Sequence, residues 1–361
     1  MKLIKLAYAF AASTLLAAAS AQAQVEINIS GAVAFRDVAY RVIRSIYGAN
    51  LTSQNPADSA TAPSQLKVSW TGTIPALYGD QTVTVRAFYN GAVAGLQDLT
   101  QNRNVNYLST STAGDTNTVN LPSDLAFSTV FQRSTAFTSP PLEDSKFGVT
   151  PVFFVKSTSA PAGLTNITAQ QFRVLAANGA VPGWFLTGDT NDTALVHYIS
   201  RDPTAGQRVI VQKENGFNGS IISYQWDTNK NSFVLDPTGR NSTQIRDSLK
   251  ISTPAVSYLT GVDAIGLNGG ANILALNGVR AFTGTYSPSA NDHSPVIQGQ
   301  YSQWGYEHIV NRTTASSKVR TFRDALVAGI DADLKTSAFS IPLSKVRVER
   351  TGEGAPVAPR E

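Results

Sequence analysis

The segment Val25-Glu26-Ile27-Asn28-Ile29-Ser30 alternates apolar and polar residues, the pattern of a half-buried strand. A run of small residues, Gly31-Ala32-Val33-Ala34, follows, and apolar positions then recur at Phe35, Val38, Ala39, Val42, Ile43, Ile46 and Tyr47. That i, i+3, i+4 spacing predicts a helix stopped by Gly48. A small-residue loop that opens a helix leaves free backbone N–H groups at its start, where an anion can be held without any side chain.

Two strand-like runs, Leu66 to Ile74 and Thr82 to Tyr89, flank the turn residues Tyr78-Gly79-Asp80 and predict a hairpin. The second run delivers Asn90-Gly91-Ala92-Val93-Ala94-Gly95 and then Leu96 and Leu99, so the loop-and-helix layout recurs. Thr100 to Asn120 has few apolar anchors and is expected to be an exposed loop. After Pro140-Pro141, six of the seven residues from Val149 to Val155 are non-polar, which predicts a strand buried on both faces. The stretch Leu164-Thr165-Asn166-Ile167-Thr168 offers N-caps for a helix carrying Phe172, Leu175 and Ala176. Leu195 to Ile199 predicts a strand that runs into Arg201-Asp202-Pro203-Thr204-Ala205-Gly206-Gln207-Arg208. A strand at Ala264-Ile265-Gly266-Leu267, an amphipathic helix from Val319 to Leu334 and a polar, frayed tail from Thr351 to Glu361 complete the pattern. Alternating strands and helices predict an α/β protein with parallel or mixed sheets.

Composition adds scale. The chain has 361 residues, 42% hydrophobic and 15% charged, so a sizeable core can be buried and a disordered or fibrous chain is excluded. The length predicts two or three domains, or one two-lobed unit. Lys2 and Lys5 flank the start of an apolar run, Leu6 to Ala19, that is too short to span a bilayer and leads to Ala21-Gln22-Ala23. Residues 1–23 therefore read as a secretory signal with a new N-terminus at Gln24. The remaining 361 − 23 = 338 residues carry a formal charge of (29 − 2) − 25 = +2, which removes the electrostatic support for nucleic-acid binding. The expected location is the periplasm of a Gram-negative host, or the extracellular space.

The absence of cysteine excludes disulfides, thiolate metal sites, a cysteine nucleophile and a lipidated N-terminal cysteine. His197, His293 and His308 lack metal-ligand spacing, and the chain has no Gly-x-Ser-x-Gly elbow and no Walker loop. No enzymatic activity, metal or cofactor is expected. Asp292-His293-Ser294 reads as a turn, and Trp184, after Pro182-Gly183, as a core anchor.

In order along the chain, the Ile29-Ser30-Gly31-Ala32 loop, Asn90-Gly91-x-x-x-Gly95, Asp124-Leu125-Ala126-Phe127-Ser128, Thr150 to Lys156, Gly163 to Thr168, the Arg201 to Gly206 turn, Ala264-Ile265-Gly266 and Val296 to Tyr301 resemble the phosphate-type substrate-binding proteins of ABC transporters. These belong to the two-lobed periplasmic-binding-protein superfamily. The resemblance implies two α/β lobes joined by two crossover strands, of type II, with a ligand cleft between them. Val149 to Val155 would be the outward crossover and Ala264 to Leu267 the return. Lobe 1 would comprise residues 24–150 plus 268–361, and lobe 2 residues 151–267.

The resemblance further implies a small oxyanion, phosphate first, held by Gly31, Ala32, Val33, Ala34, Asn90, Gly91, Ser128, Thr129, Arg201, Ala205, Gly206 and Gln207. It also implies a monomer that delivers the anion to an ABC permease. The sequence departs from the family's pattern at Ala205 and Gln207, which stand where a serine and a threonine belong. Val33 occupies a position where a hydroxyl is common, and Thr129 one where an acid often follows the serine. At roughly 1.5–3 kcal/mol per charge-assisted bond, two lost hydroxyls cost about 3–6 kcal/mol of affinity. The departures support an alternative: an envelope structural or interaction protein on the same scaffold with a lost anion site.

Overall fold

The alternating segment Val25–Gly31 is a strand at the heart of a mixed sheet, parallel to Thr82–Phe88 on one side and to Leu125–Ser128 on the other. The structure, a computed structural model, describes residues 24–265, 267, 271–284, 293–334 and 340–360. The expected signal at residues 1–23 lies outside them, as does Asp292. Among the described residues no helix is long and apolar enough to cross a membrane.

The main sheet has eleven strands. From one edge its order is Ala180–Pro182, Leu195–Tyr198, Ala255–Thr260, Leu142–Lys156, Trp304–Arg312, Leu125–Ser128, Val25–Gly31, Thr82–Phe88, Lys67–Thr73 and Leu51–Asn55, with Ile341–Pro342 paired beside Leu142–Lys156. The fifteen-residue strand Leu142–Lys156 joins the two halves. As far as Pro151 it pairs antiparallel with Trp304–Arg312, and from Val152 onward with Ala255–Thr260. Its apolar stretch Val149 to Val155 is buried throughout, as a strand packed on both faces requires.

Two apolar clusters fill the layers. One lies beneath the helices Arg36–Tyr47 and Ser317–Leu334, where Val38, Val42 and Ile43 meet Phe322, Leu326 and Ile330. The other runs from Leu96 and Leu99 through Val152 to Val155 to Phe172, Tyr198 and Ile210. The helix Ala169–Asn178 starts where its sequence directs: Thr168 Oγ1 accepts from Gln171 N and the Gln171 side chain accepts from Thr168 N, a complete capping box.

Four sequence expectations are corrected. Ala264 and Ile265 belong to a short helix, Gly261–Ile265, and the strand lies upstream at Ala255–Thr260. The polar stretch from Thr100 to Asn120 contains most of a hairpin, Asn104–Leu108 with Thr118–Pro122, in which Val105 and Tyr107 are buried while Asn104 and Asn106 face solvent. The tail is docked: Ala358–Pro359 pairs with Val348–Glu349, and the buried Glu353 carboxylate accepts from Phe131 N. Trp184 is 47% exposed, so it is a surface residue and no core anchor.

Candidate functional site

Four chain segments converge between the two halves of the sheet, and backbone contacts hold each in place. The first strand ends at Gly31, which has φ +114°. A Cβ there would lie 2.1 Å from Phe127 O, so only glycine lets the neighbouring strand approach. Ala32 N then donates to Phe127 O at 2.9 Å, and a short 3₁₀ turn, Val33–Phe35, leads into Arg36–Tyr47. No side chain caps this turn, so the amides at its start remain available to a ligand.

The second segment is tied to the first. Asn90 Oδ1 accepts from Gly31 N at 3.0 Å, its Nδ2 donates to the buried Asp98 carboxylate at 2.8 Å, and Gly91 N donates to Gly31 O at 2.8 Å. Burial pushes the Asp98 carboxyl up, and the Asn90 bond opposes the shift. The helix Ala92–Thr100 follows, and Val93 N donates at 3.0 Å to Thr204 O of the other half. In the third segment Ser128 Oγ is consumed locally, donating to Val130 O and accepting from Val130 N. Thr129 next to it is 1% exposed, and its hydroxyl has no partner among the described residues.

The fourth segment carries Arg201, only 3% exposed. Its Nε donates to Arg240 O at 3.2 Å, and its nearest carboxylate, Asp202, is 3.7 Å away. Its Nη1 is buried without a partner among the described residues. The uncapped helix Gly206–Glu214 begins five residues on, and a Cβ at Gly206 would sit 2.0 Å from Thr129 Oγ1. A missing side chain at 206 is therefore what lets the Thr129 hydroxyl approach the helix start.

Together these segments enclose a cavity of about 10 Å³, room for about one water, lined by Ala32, Val33, Ala34, Gly91, Ala92, Thr129, Arg201, Ala205, Gly206 and Gln207. Of the residues singled out from the sequence, nine line it. Gly31, Asn90 and Ser128 do not: they brace the loops that do. Two larger chambers of the cleft adjoin it. One of about 610 Å³ shares Val33, Gly91, Arg201 and Ala205 with the cavity, and one of about 310 Å³ shares Val33, Ala34 and Gln207. Their other walls include Arg36, Tyr89 and Arg246, which sequence reasoning missed. The only signal was proximity, since Arg36 follows the first loop and Tyr89 precedes Asn90. Among the described residues no group of three or more histidine or acidic side chains is placed to hold a metal ion.

The arrangement offers donors and no carboxylate in the inner cavity: helix-start amides, one hydroxyl and a guanidinium that lacks full charge compensation. That set suits an anion. The architecture is that of the two-lobed periplasmic binding proteins. Solved structures share it at low sequence identity. A phosphate ABC transporter substrate-binding protein assigned as such in Clostridium perfringens, solved with phosphate bound, is 13% identical with a TM-score of 0.52, covering 88% of this chain and 99% of its own. A human phosphate-binding apolipoprotein is 11% identical with a TM-score of 0.51, covering 88% and 91%. No protein-family model and no curated protein matches the sequence. Likeness at this level establishes the fold alone.

Proposed function

We propose that this chain is an exported, non-catalytic binding protein that holds a small oxyanion, phosphate first, in the cleft and as a monomer delivers it to an ABC permease. The observation that carries this reading is Arg201. A guanidinium 3% exposed, with Nη1 unpartnered and its carboxylate 3.7 Å away, is costly to bury alone. An anion at the cavity would supply both the missing charge and the missing acceptor. One oxygen of that anion occupies the water-sized space, where Thr129 Oγ1 is also unpartnered, and the remaining oxygens face the adjoining chamber. The fold shared with two phosphate-binding proteins supports the same reading.

A second reading has its own observation. Val33 and Ala205 bring no hydroxyl to the cavity, and the space left is about 10 Å³. This favours a scaffold that has lost its anion site and serves the cell envelope through its surface. Calorimetry separates the two. After unfolding and refolding to strip bound ligand, saturable phosphate binding that Arg201→Ala weakens by roughly 10- to 100-fold, the worth of one charge-assisted bond, supports the first reading. No heat with phosphate or sulfate from folded protein overturns it.

A further inference from the structure

The 610 Å³ chamber has polar capacity that a free inorganic anion does not use. Tyr89 lines it, is 1% exposed, and has a buried hydroxyl with no partner among the described residues. Arg36 lines the same chamber, and it has no carboxylate partner among the described residues. Arg246 also lines the chamber, held only loosely by Asp263 at 3.7 Å. Leu66 and Phe88 give the wall an apolar side. A buried hydroxyl without a partner costs free energy unless a ligand acceptor completes it. The opening shared through Val33, Gly91, Arg201 and Ala205 places this second donor group next to the first.

From these features we infer that the cleft takes a phosphate monoester of a small polar molecule. One phosphoryl oxygen enters the inner cavity at Arg201 and Thr129, and the organic part lies in the 610 Å³ chamber with a carboxylate or hydroxyl at Arg36 and Tyr89. The inference rests on the oxyanion reading and narrows it to a substrate class. It also accounts for a tight inner cavity beside a roomy outer one. A free phosphate would fill neither well.

The test is a calorimetric comparison of inorganic phosphate, methyl phosphate and 3-phosphoglycerate on the stripped protein. The expected result is 3-phosphoglycerate at least about tenfold tighter than the other two, the gain of one charge-assisted bond. Arg36→Gln and Tyr89→Phe, each checked for an unchanged far-ultraviolet circular dichroism spectrum and a cooperative melt, should each shrink that preference. Equal affinity for all three overturns the inference and leaves the oxyanion reading standing. A preference that survives both substitutions overturns the assignment to this chamber. Binding of none of the three overturns the inference together with the reading beneath it.

Discussion

Glu307 provides a stringent check on the architecture around the long central strand. It sits in Trp304–Arg312 opposite Gly148 and is 1% exposed. Ser340 Oγ donates to its Oε1 at 2.6 Å, while Oε2 has no partner among the described residues. A Cβ on Gly148 would lie 2.4 Å from Oε2, so the carboxyl occupies the space a side chain there would need. Burial raises its pKa from an ordinary 4.5 to about 8, with the Ser340 bond opposing. Between those values the folded protein holds a proton that the unfolded chain releases. Stability therefore falls as pH rises through this window and levels off above about 8. At pH 7 the offset is roughly 2.5 units, which at 1.36 kcal/mol per unit comes to about 3 kcal/mol. Glu307→Gln keeps the shape of the protonated acid and needs no proton uptake. Calorimetric melting should show the variant about 6 °C more stable at pH 7, taking about 2 °C per kcal/mol, with the gap closing toward pH 4.5. A variant no more stable than the parent at pH 7, or equally stabilised at pH 4.5 and pH 7, would refute the burial argument.

Two further substitutions probe the site and its supports. Gly206→Ala places a methyl against Thr129 Oγ1, so phosphate affinity should fall more than about tenfold by calorimetry, and an unchanged affinity would remove Thr129 from the site. Arg350, buried over the Trp304 ring at 4.0 Å and paired with the buried Glu214, anchors the docked tail. Arg350→Ala leaves Glu214 as an uncompensated buried charge and should cost about 3–5 kcal/mol in chemical denaturation, with much of that loss recovered when Glu214→Leu is added.

Legibility in the sequence followed burial. The strand Val149 to Val155 was readable because both its faces are covered, leaving little room for polar residues. The start of the helix Ala169–Asn178 was readable because an N-cap such as Thr168 is local chemistry, while its partner Gln171 came to light only in the structure. The hairpin partner Asn104–Leu108 was missed because only Val105 and Tyr107 face inward, too short an alternation to stand out from a polar loop. Ala264 and Ile265 misled for the opposite reason: a few apolar residues in a row fit a buried strand and a buried helical turn equally well.

The candidate site divides along the same line. Its inner part is built from backbone, and the small-residue runs at Gly31 to Ala34, Gly91 to Ala92 and Ala205 to Gly206 announce it because close approach tolerates little else. The outer chamber is built from side chains on segments far apart in the chain, Arg36, Tyr89 and Arg246, and nothing in their local sequence says that they meet. This division bears on the departures at Val33, Ala205 and Gln207. Hydroxyls can be lost there without disturbing the helix-start amides, which belong to the fold, or Arg201, which hydrogen-bonds to Arg240 O and Tyr258 Oη. On the proposed reading, anion recognition would fail through changes in backbone approach or in Arg201, the buried cation that lines the inner cavity. Gly206 and Arg201 are both present in this chain, so on the proposed reading the departures at Val33, Ala205 and Gln207 bear on which anion fits and how tightly.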